Sequence, residues 1–88
     1  MRREEIEAKV NDILATGFEI DRALLKPDAY LANDLGLDSL DGVDLVVAIE
    51  RKFGCRIDEA EARSMRTIED IYSYIEKRAL NSAGDVRG

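Results

Sequence analysis

An 88-residue chain has room for one domain and one modest core, too little to enclose a large active site, so it points to a binding or carrier module. Hydrophobic residues at 45% supply enough apolar material to fold despite a net charge of -6. The acidic excess argues against nucleic acid and for partners with basic surfaces, and the absence of histidine removes the usual general base, zinc ligand and Ser-His or Cys-His nucleophile pairs.

Arg2, Arg3, Glu4 and Glu5 lead into an amphipathic pattern, in which Ile6, Val10, Ile13 and Leu14 fall at helical spacing. A first helix is predicted from about Arg3 to Thr16, closed by Gly17. The charged start is not a signal-peptide core, and no uncharged stretch approaches the roughly 20 residues of a membrane span. The expectation is a cytoplasmic protein, and the single Cys55 is expected to be a small buried apolar residue.

From Phe18 to Asp38 no period is sustained, and Pro27, Asn33 and Gly36 interrupt the chain. This segment reads as a long loop pinned to the core by Leu24, Leu25, Tyr30, Leu31, Leu35 and Leu37, and a loop of such length points to function or to a hidden short helix. Asp38 or Ser39 can cap a second helix running to Phe53 and stopping at Gly54. Asp58 with Glu61 resembles a capping box for a short helix to about Arg63, and Thr67 with Asp70 opens a last helix whose apolar face is Ile68, Ile71, Tyr72, Ile75 and Ala79. Periodicity ends after Leu80, which predicts a domain over residues 1–80 and a flexible tail over 81–88. The runs with strand character are too short for a sheet, so the fold class is all-α: a bundle of three main helices and one short one.

Helix two has two apolar sides. At about 100° per residue, Leu45, Val46, Ile49 and Phe53, with Gly42 among them, face one way and form the core side. Leu40, Val43 and Val47 form a second stripe among Asp41, Asp44 and Glu50. One exposed valine needs no cause, but three aligned apolar residues flanked by carboxylates point to an interface for a hydrophobic patch bordered by Arg or Lys.

The segment Asp34 to Leu45 reads DLGLDSLDGVDL. Its Asp38-Ser39-Leu40 centre, the lead-in Asp34-Leu35-Gly36 and the order of helices around it resemble the acyl carrier protein family over roughly Arg3 to Arg78. The resemblance implies a four-helix carrier with a long loop between helices one and two. It is not an enzyme, and it holds acyl groups as thioesters on a 4'-phosphopantetheine arm, which a separate phosphopantetheinyl transferase moves from coenzyme A to Ser39. Its partners would be that transferase and the acyl-loading and acyl-processing enzymes of fatty-acid, polyketide or related lipid biosynthesis, with the chain a monomer and no metal bound. Asp38 is linked by the resemblance to transferase recognition, Leu40 would border the arm, and Gly36 would shape the turn that presents Ser39. Asp38, Leu40, Asp41, Val43, Asp44, Val47 and Glu50 would meet partners. Val46, Ile49, Ile57, Ile68 and Ile71 are candidate walls for the acyl chain, with plain core packing as the alternative for each.

The chain departs from the bacterial fatty-acid type, since Glu50 is followed by Arg51 and Lys52 and Val47 stands where a methionine is common. Gly42 inside the helix costs about 0.5–1 kcal/mol relative to alanine. These departures point to a specialised carrier. A peptidyl or aminoacyl carrier, or an unmodified helical interaction module in which Ser39 is a plain N-cap, are the alternatives. A hydrolase using Ser39 with Lys52 lacks an oxyanion arrangement, and Asp34, Asp38, Asp41 and Asp44 lack the spacing of a calcium loop.

Overall fold

The computed structural model describes residues 2–86, with side chains described for 2–78. Among them the fold is all-α, with helices α1 (Arg3–Asp12), α2 (Ser39–Phe53), α3 (Glu59–Ser64) and α4 (Ile68–Val86).

The amphipathic spacing of α1 places Ile6 and Val10 in the core with no exposure. The predicted helix to Thr16 is realised in two forms, because a π-helical turn, Ile13–Gly17, follows Asp12. The Leu14 carbonyl then accepts from both Phe18 N–H at 3.3 Å and Ile20 N–H at 3.2 Å, which keeps Leu14 buried while the chain leaves the helix.

The long connection does contain a short helix. Asp21 accepts from Ala23 N–H at 2.9 Å and caps a 3-10 turn over Arg22–Leu24. Leu25, Leu31, Leu35 and Leu37 pack against the core as predicted, but Leu24 and Tyr30 are about half exposed, and the small Ala29 is the residue of this stretch that is buried. The backbone explains the correction: Pro27 and Ala29 carbonyls accept from Glu69 N–H at 2.8 Å and Ile68 N–H at 3.1 Å, while Leu31 N–H donates to the Arg66 carbonyl at 2.8 Å. The first turn of α4 has amides without intrahelical partners. The loop satisfies two of them and forms an isolated antiparallel bridge between Tyr30 and Thr67.

Gly54, with φ of 65°, closes α2 in the left-handed conformation that glycine adopts without strain. Both predicted capping boxes form: Asp58 N–H donates to Glu61 at 3.3 Å, Thr67 N–H donates to Asp70 at 3.0 Å, and Asp70 N–H donates to the Thr67 hydroxyl at 3.1 Å. α4 is helical to Val86, past Leu80, so the predicted end of that helix is corrected. The apolar period of the sequence stops at Leu80, but backbone hydrogen bonds do not need an apolar pattern to continue a helix. The side chain of Ala79 and residues 87–88 lie outside the described residues.

The core is a single cluster of Ile6, Val10, Leu14, Leu45, Ile49 and the α4 residues Ile68, Ile71, Tyr72 and Ile75, joined by Ala29 and Ile57. Polar contacts fasten α1 to α4 at its edge. The Arg3 guanidinium donates to Glu7 at 3.0 Å, to Glu76 at 3.1 Å and to Glu69, and it lies 5.2 Å from the Tyr72 ring centre. The Tyr72 hydroxyl donates to Asn11. Arg3 holds Glu69 below the usual carboxylate range. Cys55 is half-buried against this core, not fully buried, and burial pushes its thiol up.

Candidate functional site at the start of helix two

The turn before α2 is set by local chemistry. Asp34 accepts from Tyr30 N–H at 2.7 Å, Gly36 N–H donates to the Ala32 carbonyl at 3.0 Å, and Leu37 N–H donates to the Leu31 carbonyl at 3.0 Å. Gly36 has a φ of 71°, the conformation in which a side chain would be strained, and it turns the chain into the helix.

The helix start separates two readings of Asp38 and Ser39. Asp38 is the N-cap: its Oδ1 accepts from Asp41 N–H at 2.9 Å, and Asp41 returns the bond by accepting from Asp38 N–H at 3.2 Å. Ser39 is the first helical residue and is exposed, so the cap leaves its hydroxyl free for another use. The amides of Ser39 and Leu40 lie where intrahelical carbonyls do not reach, at the positive end of the helix dipole. This environment accommodates an anionic phosphate beside Ser39 Oγ.

The second stripe of α2 is exposed as predicted: Leu40 at 75%, Val43 at 62% and Val47 at 40%. The acidic residues around it divide into two groups. Asp38 and Asp41 sit beside Leu40 with their carboxylates engaged in the cap. Asp44 is exposed on the other flank, over a hollow lined by Ile13, Thr16, Phe18 and Lys52. Glu50 is half-buried and accepts from Ile57 N–H at 2.8 Å, which ties the end of α2 to the segment before α3. Its carboxylate thus has a structural duty that the spacing of the sequence did not reveal.

Two hollows flank the first turns of α2. A groove of about 520 Å³ between α2 and α3 begins at Ser39 and is walled by Val43, Val46, Val47, Ile57 and Ala62, with Glu59 and Arg63 at its rim. Of the candidate wall residues, Val46 and Ile57 line it, whereas Ile49, Ile68 and Ile71 are sealed in the core with at most 1% exposure. A second hollow lies between α2 and the loop, lined by Leu31, Leu37, Leu45 and Met65. Gly42 borders both. The sequence carries no signal for Glu59, Ala62 and Arg63 as groove residues, because α3 is too short for its facing side to be read from periodicity.

α3 is fastened outside its own turn by the Tyr74 hydroxyl of α4, which donates to Glu61 at 2.9 Å. Burial together with this bond pushes the Tyr74 phenol up to about 12. Among the described residues, no cluster of His, Cys, Asp or Glu is placed to hold a metal ion, and no helix is long and apolar enough to cross a membrane.

The site thus joins an exposed serine that opens a capped helix to an apolar groove in an acidic bundle. The family of phosphopantetheine attachment sites matches residues 8–75 of the chain. Proteins named acyl carrier protein are similar over nearly the same span. That of Thermotoga maritima is 45% identical over 76 residues, covering 86% of this chain and 94% of that protein. That of Syntrophobacter fumaroxidans is 40% identical over 72 residues, covering 82% and 89%. That of Thermosynechococcus vestitus is 37% identical over 78 residues, covering 89% and 96%. The chain belongs to the acyl carrier protein family. It is a carrier and not an enzyme, and its cofactor is covalently attached 4'-phosphopantetheine. A carrier of this kind works with partner enzymes.

Proposed function

We propose that Ser39 is the attachment point and that the chain delivers acyl thioesters to enzymes of fatty-acid, polyketide or related lipid biosynthesis. The observation that carries the assignment is the division of labour at the helix start, where Asp38 supplies the cap and Ser39 stands exposed with its hydroxyl free. In the transfer, Ser39 Oγ gives its proton to a base of the phosphopantetheinyl transferase and forms an Oγ–P bond as the pyrophosphate linkage of coenzyme A breaks, with adenosine 3',5'-bisphosphate as the leaving group. The local amides and helix dipole favour the resulting phosphodiester by about 0.3–1 kcal/mol, enough to tolerate the charge but not to drive the reaction.

The proposed docking face is Leu40, Val43 and Val47, with Asp38, Asp41 and Asp44 close by and Glu50 at the far end. Partners with an apolar patch bordered by Arg or Lys would meet it in brief, salt-sensitive encounters. The run Glu50-Arg51-Lys52 shortens the acidic face, which supports a specialised carrier over a housekeeping one. The carrier domain is proposed to be residues 1–80, since the buried core residues among the described side chains lie at or before Ile75; the chain is proposed to act as a cytoplasmic monomer.

Intact-mass analysis after incubation with coenzyme A and a broad-specificity transferase tests the assignment. Wild type should gain one arm and Ser39→Ala none. A folded wild-type chain that gains no mass, or a Ser39→Ala variant that does, overturns it.

A further inference from the structure

The exposed face of α2 changes sign along its length. At about 100° per residue, Arg51 falls on the same side as Leu40, Val43, Asp44 and Val47, so the apolar stripe that begins beside Ser39 ends on a cation. Arg51 stands two turns after Asp44, about 10 Å further along the axis. Lys52 repeats the contrast on the α1 flank, where it and Asp44 both line the hollow of about 520 Å³ that Ile13 and Phe18 also line. Glu50, the acid next to these cations in sequence, is engaged with Ile57 N–H. Asp12, at the same hollow, is taken by Arg22 at 2.8 Å. Asp44, Arg51 and Lys52 are exposed, and among the described residues none of the three is in an ion pair. The helix dipole accounts for cations in the last turn, but it neither requires one on the stripe nor explains Asp44, which lies beyond the first turn.

We infer that this docking face is bipolar: it fits a partner surface that sets Arg or Lys against Asp44 and Asp or Glu against Arg51 and Lys52, with an apolar residue over Val47 between them. The inference rests on the docking face and on the Ser39 attachment proposed above, and it narrows the partner they serve. A surface that is basic throughout gains at Asp44 and is repelled two turns later, because like charges set against each other across an interface oppose binding. Arg51 and Lys52 thereby act as specificity-determining residues that turn such surfaces away.

Two synthetic helical peptides test this. Both carry a cysteine at one end, an apolar face and a lysine near the cysteine; two turns beyond, one has glutamate and the other has a second lysine. Each displaces glutathione from a mixed disulfide with the arm thiol of the holo protein, and the equilibrium constant reports docking because the tether makes the contact intramolecular. Digestion and mass analysis count peptide on the arm apart from peptide on Cys55. At low salt the wild type should prefer the lysine-glutamate peptide about threefold, within the range of one exposed charge pair, although its net charge of -6 attracts the all-lysine peptide more. Arg51→Glu with Lys52→Glu should reverse the preference. Lys26→Glu with Lys77→Glu makes the same change in net charge at exposed positions outside α2, and it should leave the preference within about twofold of wild type. Salt on the order of 1 M should bring all the ratios together.

A wild type that does not favour the lysine-glutamate peptide overturns the inference, as do α2 variants that behave like the Lys26 and Lys77 control. Self-association of the wild type that the α2 variants abolish assigns the face to a second copy and overturns it as well. The mass of each sample reports the arm separately: an arm that never attaches overturns the Ser39 assignment and this inference with it, whereas an attached arm without the preference overturns this inference alone.

Discussion

Two halves of this small molecule solve different problems. Along α1 and α4, apolar residues at helical spacing are fully sealed, and Arg3, Tyr72 and Asn11 lock the seam with hydrogen bonds from one helix to the other. Along α2 and α3, valines remain exposed, an open groove separates the helices, and α3 is held largely through its caps and the bond from Tyr74 to Glu61. The first half supplies stability and the second supplies surface. A dense interior gives way only at a cost, so a carrier that must receive a cargo and dock on partners keeps those duties away from its sealed seam.

Substitutions in the sealed half should cost more stability than those at its edge or in the open half. Ile71→Ala, in the sealed half, should cost about 2–5 kcal/mol by removing buried methylenes and leaving a void. The urea midpoint should fall with little change in slope. Asp38→Ala, at the junction of the two halves, should cost about 1 kcal/mol through loss of the α2 cap, read by the same measurement.

Acid should probe the seat of the loop on α4. Asp70 is held below its ordinary 3.8 chiefly by the Arg66 backbone N–H, with Thr67 assisting. Because its folded value is depressed, its contribution is complete above 3.8 and is lost as the pH falls through the lower folded value. Urea midpoints should therefore fall with acidification in this range, and Asp70→Asn should flatten that part of the profile. The smallest effect on stability is expected from Val47→Ala in the open half, within about 0.5 kcal/mol. If its face docks partners, the same variant should raise the KM for the phosphopantetheinyl transferase at unchanged melting temperature. A large loss of stability there would end the contrast between the halves.

Much of this was legible before any coordinates, because the signals are local. Asp38, Asp58 with Glu61 and Thr67 with Asp70 announce helix starts through side chains that reach their own backbone, and Gly54 announces a stop through its left-handed conformation. The exposed stripe of α2 followed from periodicity alone. The pairing of Ala29 with Ile68 and of Pro27 with Glu69 left no such trace, since it joins backbones about forty residues apart and backbone groups are the same in every residue. The length of α4 was misjudged for the converse reason: its hydrogen bonds continue where its apolar pattern stops.

The sequence by itself determined the all-α class, the order and caps of the helices, the acidic character and the segment around Ser39 that resembles carriers, all consequences of interactions spanning a few residues. Only the tertiary structure decided that Pro27 and Ala29 seat the loop on the first turn of α4, that Arg3 staples α1 to α4, and that Gly42 borders two hollows. Those outcomes depend on distances between segments remote in the chain, and distance of that kind is fixed when the core closes.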